Sequence, residues 1–186
     1  MTPPKKQIIA SRSFGKLVTS QAELAESVAT HVARAAEKLR AQNSTTGALT
    51  VFIQTNPFKQ NEPQHHQGVT IPLADPSDNT LVLTNAALAG LKQIYQANFR
   101  YKKAGVILNL ISDKPTAQQS LFDDPQTKGK SAHLMKAVDE INTRFGNAVI
   151  RSAAAGTNST KEEWQMRSNN RSPNYTTKWD ELPIAR

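Results

Sequence analysis

The segment Lys103-Ala104-Gly105-Val106-Ile107-Leu108-Asn109-Leu110-Ile111 decides the fold. Its apolar residues run almost without interruption, and such a run predicts a strand with a central position in a sheet. The region before this segment contains the other strands and helices that a small sheet domain needs. We therefore expect those elements to be arranged around it.

The first elements of the chain are predicted to be a strand and a long helix. Lys6 to Val18 alternates loosely and contains a glycine near its end, which is typical of a strand. Thr19 or Ser20 is expected to cap a helix that ends near Gln42, with Glu23 at the capping-box position. The apolar residues of this helix recur at helical spacing: Leu24, Val28, Val32, Ala35 and Leu39.

Two further strands and a helix complete this region. Residues 48–54 and 67–73 have strand character, and Pro72 indicates a sheet edge or a strand end. Thr84 is expected to cap a helix over residues 85–98. The order β-α-β-β-α-β predicts an α+β fold, the split β-α-β sandwich, in which a four-stranded sheet carries both helices on one face. The other face is then open to solvent.

The rest of the chain is predicted to be a linker and a small helical or irregular C-terminal module. A helix is expected over residues 132–145, with Gly146 as its stop, and a short strand over 148–153. Most of the chain after Gly156 is expected to be irregular. The predicted division is a domain at residues 1–112, a linker at 113–130 and a module at 131–186.

The composition favours a polyanionic partner. The 186 residues carry a net charge of +8, and residues 1–112 contain 12 Lys or Arg against 6 Asp or Glu. An excess of this kind favours nucleic acid first and an anionic membrane second. Cysteine is absent, so disulfides and thiolate metal sites are excluded. No membrane-spanning run or signal peptide is evident, and we expect a cytoplasmic protein.

Two basic clusters are candidates for contact with a phosphodiester backbone. One comprises Lys5, Lys6, Arg12 and Lys16, and the other comprises Arg100, Tyr101, Lys102 and Lys103. The first cluster lies on and around the first predicted strand and the second lies at the entry to the last one, so we expect them to share a surface. Ser11, Ser13 and Gly15 are small enough for phosphates to approach the backbone amides. The alternative is that these cations only keep the surface soluble.

Catalytic and metal-binding patterns are not evident. The acidic pairs, such as Asp123-Asp124 and Asp139-Glu140, consist of adjacent residues, which point in different directions and rarely hold a metal. His65-His66 lies in a polar loop without further ligands at a definite spacing. No phosphate-binding glycine loop and no nucleophile elbow occur. A nucleotide-handling enzyme is therefore the least favoured class.

The predicted linker contains the short segment Gln118-Gln119-Ser120-Leu121-Phe122. Pro115 and Pro125 lie on either side of it, which disfavours a helix or a central strand. Leu121 and Phe122 can therefore act as exposed anchors for a partner's pocket, each contributing roughly 1.5–3 kcal/mol when buried. Equally, these two side chains can pack back on their own domain.

Several of these stretches together resemble the Y-family DNA polymerases. Residues 11–15 with the helix that follows, and residues 101–108, resemble the first and last strands of the family's little-finger domain. More narrowly, residues 164–167 and 172–179 are similar to the C-terminal segment of the UmuC branch. Residues 118–122 resemble the family's sliding-clamp-binding pentapeptide. Gln119 is a departure, because an apolar residue is usual there.

The resemblance implies a role in translesion DNA synthesis during SOS repair. It implies that residues 1–112 grip template–primer duplex without sequence specificity and that residues 118–122 dock on the bacterial sliding clamp. It also implies contacts of the C-terminal segment with the processed UmuD dimer or a recombinase filament. The family's magnesium-binding carboxylates lie in a palm domain, which we do not find here. We therefore expect no cofactor and no polymerase activity from this chain alone, and a nucleoid-associated location.

The main alternative is a protein-interaction adaptor, or a competitor fragment, that binds the clamp or other partners without binding DNA. In that case the basic surface would meet an acidic protein. Retention of duplex DNA by the chain in the presence of heparin distinguishes the two.

Overall fold

The computed structural model describes residues 5–114, 125–146, 148–156, 164, 166 and 172–182. Its elements are β1 (Ile8–Val18), α1 (Gln21–Ala41), β2 (Ser44–Thr55), β3 (His66–Ser77), α2 (Thr80–Ile94), β4 (Tyr101–Asp113) and α3 (Pro125–Phe145). Short 3-10 turns follow at Ala153–Ala155 and Trp179–Glu181. The predicted α+β class and the order β-α-β-β-α-β are confirmed.

The four strands form one antiparallel sheet in the order β1-β4-β2-β3. β4 pairs with β1 on one side and with β2 on the other, which confirms the central position that its apolar run predicts. β3 lies at an edge, where Pro72 stands opposite Ala48. An edge strand tolerates proline because one side of its backbone needs no ladder hydrogen bond.

One face of the sheet is covered by α1 and α2. Ser20 caps α1 by accepting a hydrogen bond from the backbone N–H of Ala22 at 3.2 Å. The side chains at the predicted apolar positions of α1 are fully buried in the core: Leu24, Val28, Val32, Ala35 and Leu39. They pack with alternate strand residues such as Val51, Val106 and Leu108. The opposite face of the sheet, which we call the open face, is left without helices.

The prediction for α2 was wrong at its N-terminus. The helix is capped by Asn79, whose side-chain oxygen accepts hydrogen bonds from the N–H groups of Leu81 at 2.7 Å and Val82 at 3.4 Å. Thr84 lies one turn inside, and its hydroxyl donates to the carbonyl of Thr80. The helix therefore begins five residues earlier than predicted, and it ends at Ile94.

The prediction for the C-terminal region was wrong in two places. α3 begins at Pro125, inside the expected linker, because proline is well tolerated in the first turn of a helix. The predicted end of the helix at Gly146 is confirmed: α3 ends at Phe145, and Gly146 has a φ of 114°. Residues 148–153 do not form a strand. The Asn142 side chain instead bonds both the N–H and the carbonyl of Ile150, at 2.8 and 2.9 Å, and so holds a turn against the end of α3.

Candidate nucleic-acid interface

The open face is formed by the outward residues of all four strands, because side chains alternate between the two faces of a sheet. The strand register arranges these residues in three parallel rows. The rows, each read from β1 through β4 and β2 to β3, are Ile9–Ile107–Thr50–Thr70, Ser11–Gly105–Phe52–Gly68 and Ser13–Lys103–Gln54–His66.

A chain of polar side chains crosses the open face at one end. The Gln7 amide donates to Asn109 Oδ1 at 2.8 Å, and Asn109 Nδ2 donates to Thr50 Oγ1 at 2.8 Å. The hydroxyls of Thr50 and Thr70 are 2.7 Å apart. These side-chain contacts link β4, β2 and β3 to the residue that precedes β1, so the open face is held in shape by more than its backbone hydrogen bonds.

An aromatic ring and a cation occupy the middle of the open face. The ring of Phe52 lies over Gly105, where an added Cβ would be only 2.6 Å from Phe52 Cζ. The ammonium of Lys103 is 5.8 Å from the centroid of that ring, which is within cation–π range. Gly105 therefore leaves free the space that the Phe52 ring occupies.

The electrostatic character of the open face follows from its composition. None of the outward residues in the three rows carries a carboxylate, whereas Lys103 carries a fixed positive charge. Hydroxyl and amide groups of Ser13, Thr70 and Gln54 add hydrogen-bond donors. Small side chains, a cation and neutral donors are the groups that contact phosphate and sugar in protein–DNA complexes.

The predicted first basic cluster does not lie together. Lys5 is near the C-terminal end of α1, because its backbone N–H and carbonyl bond the Gln42 side chain at 3.3 and 3.2 Å. Lys5 and Lys6 are thus at the end of the sheet far from Lys103. Arg12 pairs with Ala104 on the helix-covered side. Lys16 lies near the end of β1, where the strand approaches the start of β4.

The predicted second cluster is only partly on the open face. The Tyr101 side chain is fully buried, and its hydroxyl donates to the Gln96 carbonyl at 2.9 Å, so it contacts no ligand. Lys102 donates to the carbonyl of Phe14 at 2.6 Å. Arg100 is exposed and 3.5 Å from Glu62. Among these four residues, Lys103 therefore provides the cation of the open face.

The remaining predicted residues of β1 divide between the two faces. Ser11 and Ser13 are on the open face, as the prediction requires. Phe14 is 1% exposed, so its side chain belongs to the core and not to a binding surface. The N–H of Gly15 is already bonded to the carbonyl of Trp164 at 3.1 Å and is not available to a phosphate.

The predicted clamp-binding residues Gln118, Gln119, Ser120, Leu121 and Phe122 lie outside the described residues, and their role stays a prediction. Among the residues that are described, no group of three His, Asp or Glu side chains could hold a metal ion. Within that same part of the chain, no helix is both long enough and apolar enough to cross a bilayer.

The sequence interpretation missed most of the open face. Thr50, Phe52, Asn109 and Thr70 were not selected, although the alternation of polar and apolar residues in β2 and β4 contains the necessary signal. Once β2 is paired with β4, every second residue after Ala48 must point away from the helices. A search restricted to basic residues could not find neutral side chains of this kind.

The exposed sheet face and the two covering helices define a small α+β domain with a surface available for binding. Residues 5–121 match the impB/mucB/samB family C-terminal domain, and the chain belongs to that family. Residues 132–185 match a domain of unknown function (DUF4113).

The aligned region covers 42% of the length of similar curated proteins. Protein UmuC of Salmonella typhimurium strain LT2 is 36% identical over 180 residues, 97% of this chain and 42% of that protein. Protein SamB of Salmonella typhimurium is 38% identical over 184 residues, 99% of this chain and 42% of that protein. The chain thus spans 42% of the length of these relatives.

Solved structures that align with the chain include a Y-family DNA polymerase chimera, with a TM-score of 0.43 and 11% identity over 60% of this chain and 30% of the other. The little finger domain of PolIV, solved in complex with the beta-clamp processivity factor, aligns with a TM-score of 0.39 and 13% identity, covering 63% of this chain and 99% of that domain. A likeness of this size does not identify a shared site.

Proposed function

We propose that the open face binds the backbone of double-stranded DNA without reading its sequence. The observation that carries this proposal is the arrangement of Lys103, Phe52 and small polar side chains on an exposed face whose three rows contain no carboxylate. Phosphate contacts fix the position of a protein on the duplex and carry no sequence information. Membership of the impB/mucB/samB family supports the same choice of ligand.

The distribution of cations supports a ligand that extends along the strands. Lys6 precedes β1 at one end of the open face, and Lys103 stands opposite Ser13 near the other. Lys6 and Ser13 are seven positions apart in the sequence, which corresponds to roughly 23 Å of extended chain. A polyanion lying along the strands would meet positive charge at both ends of the face and neutral donors between them.

We place this activity in a longer polymerase. In this proposal the protein grips template–primer duplex for translesion synthesis in SOS DNA repair, in the cytoplasm and close to the nucleoid. In this proposal, nucleotide transfer and the binding of its magnesium ions are carried out by carboxylates of a palm domain. The described residues are proposed to bind the duplex only. We therefore expect this chain alone to incorporate no nucleotide.

The protein partners are part of the same proposal. Residues 118–122 are proposed to dock on the bacterial sliding clamp, because Leu121 and Phe122 provide two large apolar anchors within a polar segment. The C-terminal region is proposed to contact the processed UmuD dimer or a recombinase filament. The resemblance of residues 164–167 and 172–179 to the UmuC branch supports that assignment.

The experiment that tests DNA binding is a duplex titration at several salt concentrations. Lys103→Ala is expected to weaken binding equally for unrelated sequences and to lower the slope of log K against log salt by about 0.9, the value for one lost phosphate contact. Lys92→Ala, on the exposed side of α2, is the matched control and should leave the slope unchanged. Equal slopes for the wild type and Lys103→Ala would exclude Lys103 from the DNA contact. Absence of duplex binding by the wild type would favour an adaptor that meets an acidic protein.

A further inference from the structure

The loop between β2 and β3 presents an exposed aromatic ring at one end of the sheet. Phe58 is 92% exposed, the largest fraction of any large apolar side chain among the described residues. The loop, residues 56–65, begins directly after Thr55, beside the row of the open face that contains Gln54 and Lys103. The Phe58 ring therefore belongs to the Lys103 end of the sheet and takes no part in the core.

The local sequence fixes the backbone that carries this ring. The N–H of Lys59 donates to the carbonyl of Asn56 at 3.2 Å and closes a β-turn. Pro57 and Phe58 occupy its two central positions. Asparagine is favoured at the first position of such a turn and proline at the second. The Asn56 side chain also accepts the N–H of Phe58 at 3.1 Å, so two hydrogen bonds hold the turn in place.

The rest of the loop is held by its own polar side chains. The Gln64 amide donates to the carbonyls of Lys59 and Glu62, at 2.8 and 3.0 Å. The Thr55 hydroxyl donates to Gln64 Oε1 at 2.8 Å and accepts the N–H of His65 at 3.0 Å. The loop is thus preorganised, and a ligand that contacts its exposed ring has little backbone left to order.

The exposed ring lines a shallow depression whose other walls are polar. The depression has a volume of about 490 Å³ and is lined by five residues of the loop: Phe58, Lys59, Gln60, Asn61 and Glu62. The Glu62 carboxylate is 2.7 Å from the ammonium of Lys59 and 3.5 Å from the guanidinium of Arg100. Its negative charge is therefore compensated, and the two cations outnumber it.

These groups fit an unpaired nucleobase better than a protein surface. An aromatic residue that docks on a protein is usually part of an apolar patch, whereas every other residue that lines this depression is polar. A base has a flat face that stacks on an aromatic ring and a polar edge that hydrogen-bonds to amide groups. In a duplex both faces of a base are already stacked, so the ring requires a single strand.

We propose that this depression, which we call the Phe58 site, binds one unpaired base of single-stranded DNA. The base stacks on the Phe58 ring, the amides of Gln60 and Asn61 contact its edge, and the two nearby cations contact an adjoining phosphate. A strand that continues past the Lys103 end of the open face meets this loop. The inference goes beyond duplex binding and does not depend on it.

The test compares a short oligothymidine with an abasic oligonucleotide of the same length, which carries the same phosphates without bases. In fluorescence anisotropy titrations the wild-type chain should bind the oligothymidine roughly 5- to 150-fold more tightly, the factor that corresponds to stacking of one base. Phe58→Ala should lose this preference. Equal affinity of the wild type for the two oligonucleotides, or a preference that Phe58→Ala does not reduce, would overturn the proposal.

Two further substitutions separate base stacking from general apolar contact. Phe58→Trp keeps an aromatic face, so it should retain the preference, and its tryptophan emission should be quenched by the oligothymidine. Phe58→Leu is apolar without an aromatic face and should lose the preference. Phe145→Ala is the matched control, because that ring is 65% exposed and lies beside the Arg144 guanidinium. Equal preference in Phe58→Leu and Phe58→Trp would contradict stacking and favour an apolar protein partner.

The result can be separated from duplex binding. A fully paired duplex offers no unpaired base, so Phe58→Ala should bind it as the wild type does. Because the ring is exposed, the variant should also keep the far-UV circular dichroism and the urea midpoint of the wild type. An equal loss of affinity for duplex and for oligothymidine would overturn the assignment of the ring to a single strand.

Discussion

Gly105 shapes the open face because a side chain there would occupy the space of its neighbours. Its Cβ would collide with Ser11 Cβ and lie 2.6 Å from Phe52 Cζ. We expect Gly105→Ala to lower the free energy of unfolding by about 1–3 kcal/mol, the usual cost of overpacking, and to weaken duplex binding by displacing Phe52. Urea unfolding and duplex titration measure the two effects. Gly129→Ala is the control, since nothing lies within 4 Å of its added Cβ.

His31 makes stability depend on pH. Burial first, and then the positive charges of Arg34 and Arg12, lower the pKa of His31 from 6.5 to about 4. The unfolded chain therefore binds a proton at a higher pH than the folded chain. Neutral His31 therefore makes its full contribution to the free energy of unfolding above pH 6.5. As the pH falls towards 4, the free energy of unfolding decreases by up to about 3 kcal/mol. Urea unfolding from pH 7 to 4 should show this loss, and His31→Gln should flatten it. An equal pH dependence in His31→Gln would assign the effect to other groups.

Some residues of the open face could be predicted from the sequence, because the side chains of a regular strand alternate between the two faces of the sheet. Ser11, Ser13 and Lys103 follow this alternation. Tyr101 does not, because the register of β2 and β4 shifts between Gln54 and Thr55. That irregularity turns Tyr101 into the core, and a bulge of this kind depends on strand pairing that local sequence does not encode.

At the scale of an element, the start of α2 depends on Asn79. We expect Asn79→Ala to lower the free energy of unfolding by about 0.5–2 kcal/mol, since the N–H groups of Leu81 and Val82 lose their acceptor. Asn79→Asp keeps the acceptor oxygen and should lose less. Thermal or urea unfolding of the two variants measures the difference. An unaffected Asn79→Ala would mean that α2 begins elsewhere.

The strands and α1 were predictable because their apolar patterns are strong and their ends carry clear signals. The starts of α2 and α3 were not predicted, for different reasons. Leu81 and Val82 of the first turn of α2 are 46% and 45% exposed, so they do not continue the apolar face. Pro125 was interpreted as a helix breaker, although a proline at the first turn loses no helical hydrogen bond.

At the scale of the whole molecule, clamp docking is tested at the two apolar residues of the segment 118–122. Leu121→Ala combined with Phe122→Ala should weaken binding to the bacterial sliding clamp by at least about 2 kcal/mol. Duplex binding should stay unchanged, because the open face is a separate surface. Phe58→Ala is the control, since Phe58 is 92% exposed and lies in the β2–β3 loop. Clamp affinity retained by the double variant would remove residues 118–122 from the contact.

The attachment of the C-terminal region to α1 could not be predicted from the sequence. Arg40 and Asp139, which form a salt bridge, are 99 residues apart in the sequence, and Trp164 is still further from its ring neighbours Phe14 and His31. Contacts over such separations depend on the final arrangement of the elements and have no local pattern. The order of the elements, by contrast, was sufficient to predict the sheet, the helix-covered face and the existence of an open one.

The most direct test of DNA binding by the open face is an NMR titration of the labelled chain with a short duplex. Backbone amide signals of Ser13, Phe52, Gly68 and Lys103 should shift, while those of the exposed side of α2 should stay in place. The same signals should shift with a second duplex of unrelated sequence. Shifts confined to α1, α2 or the C-terminal region would contradict the account and place the DNA contact on a different surface.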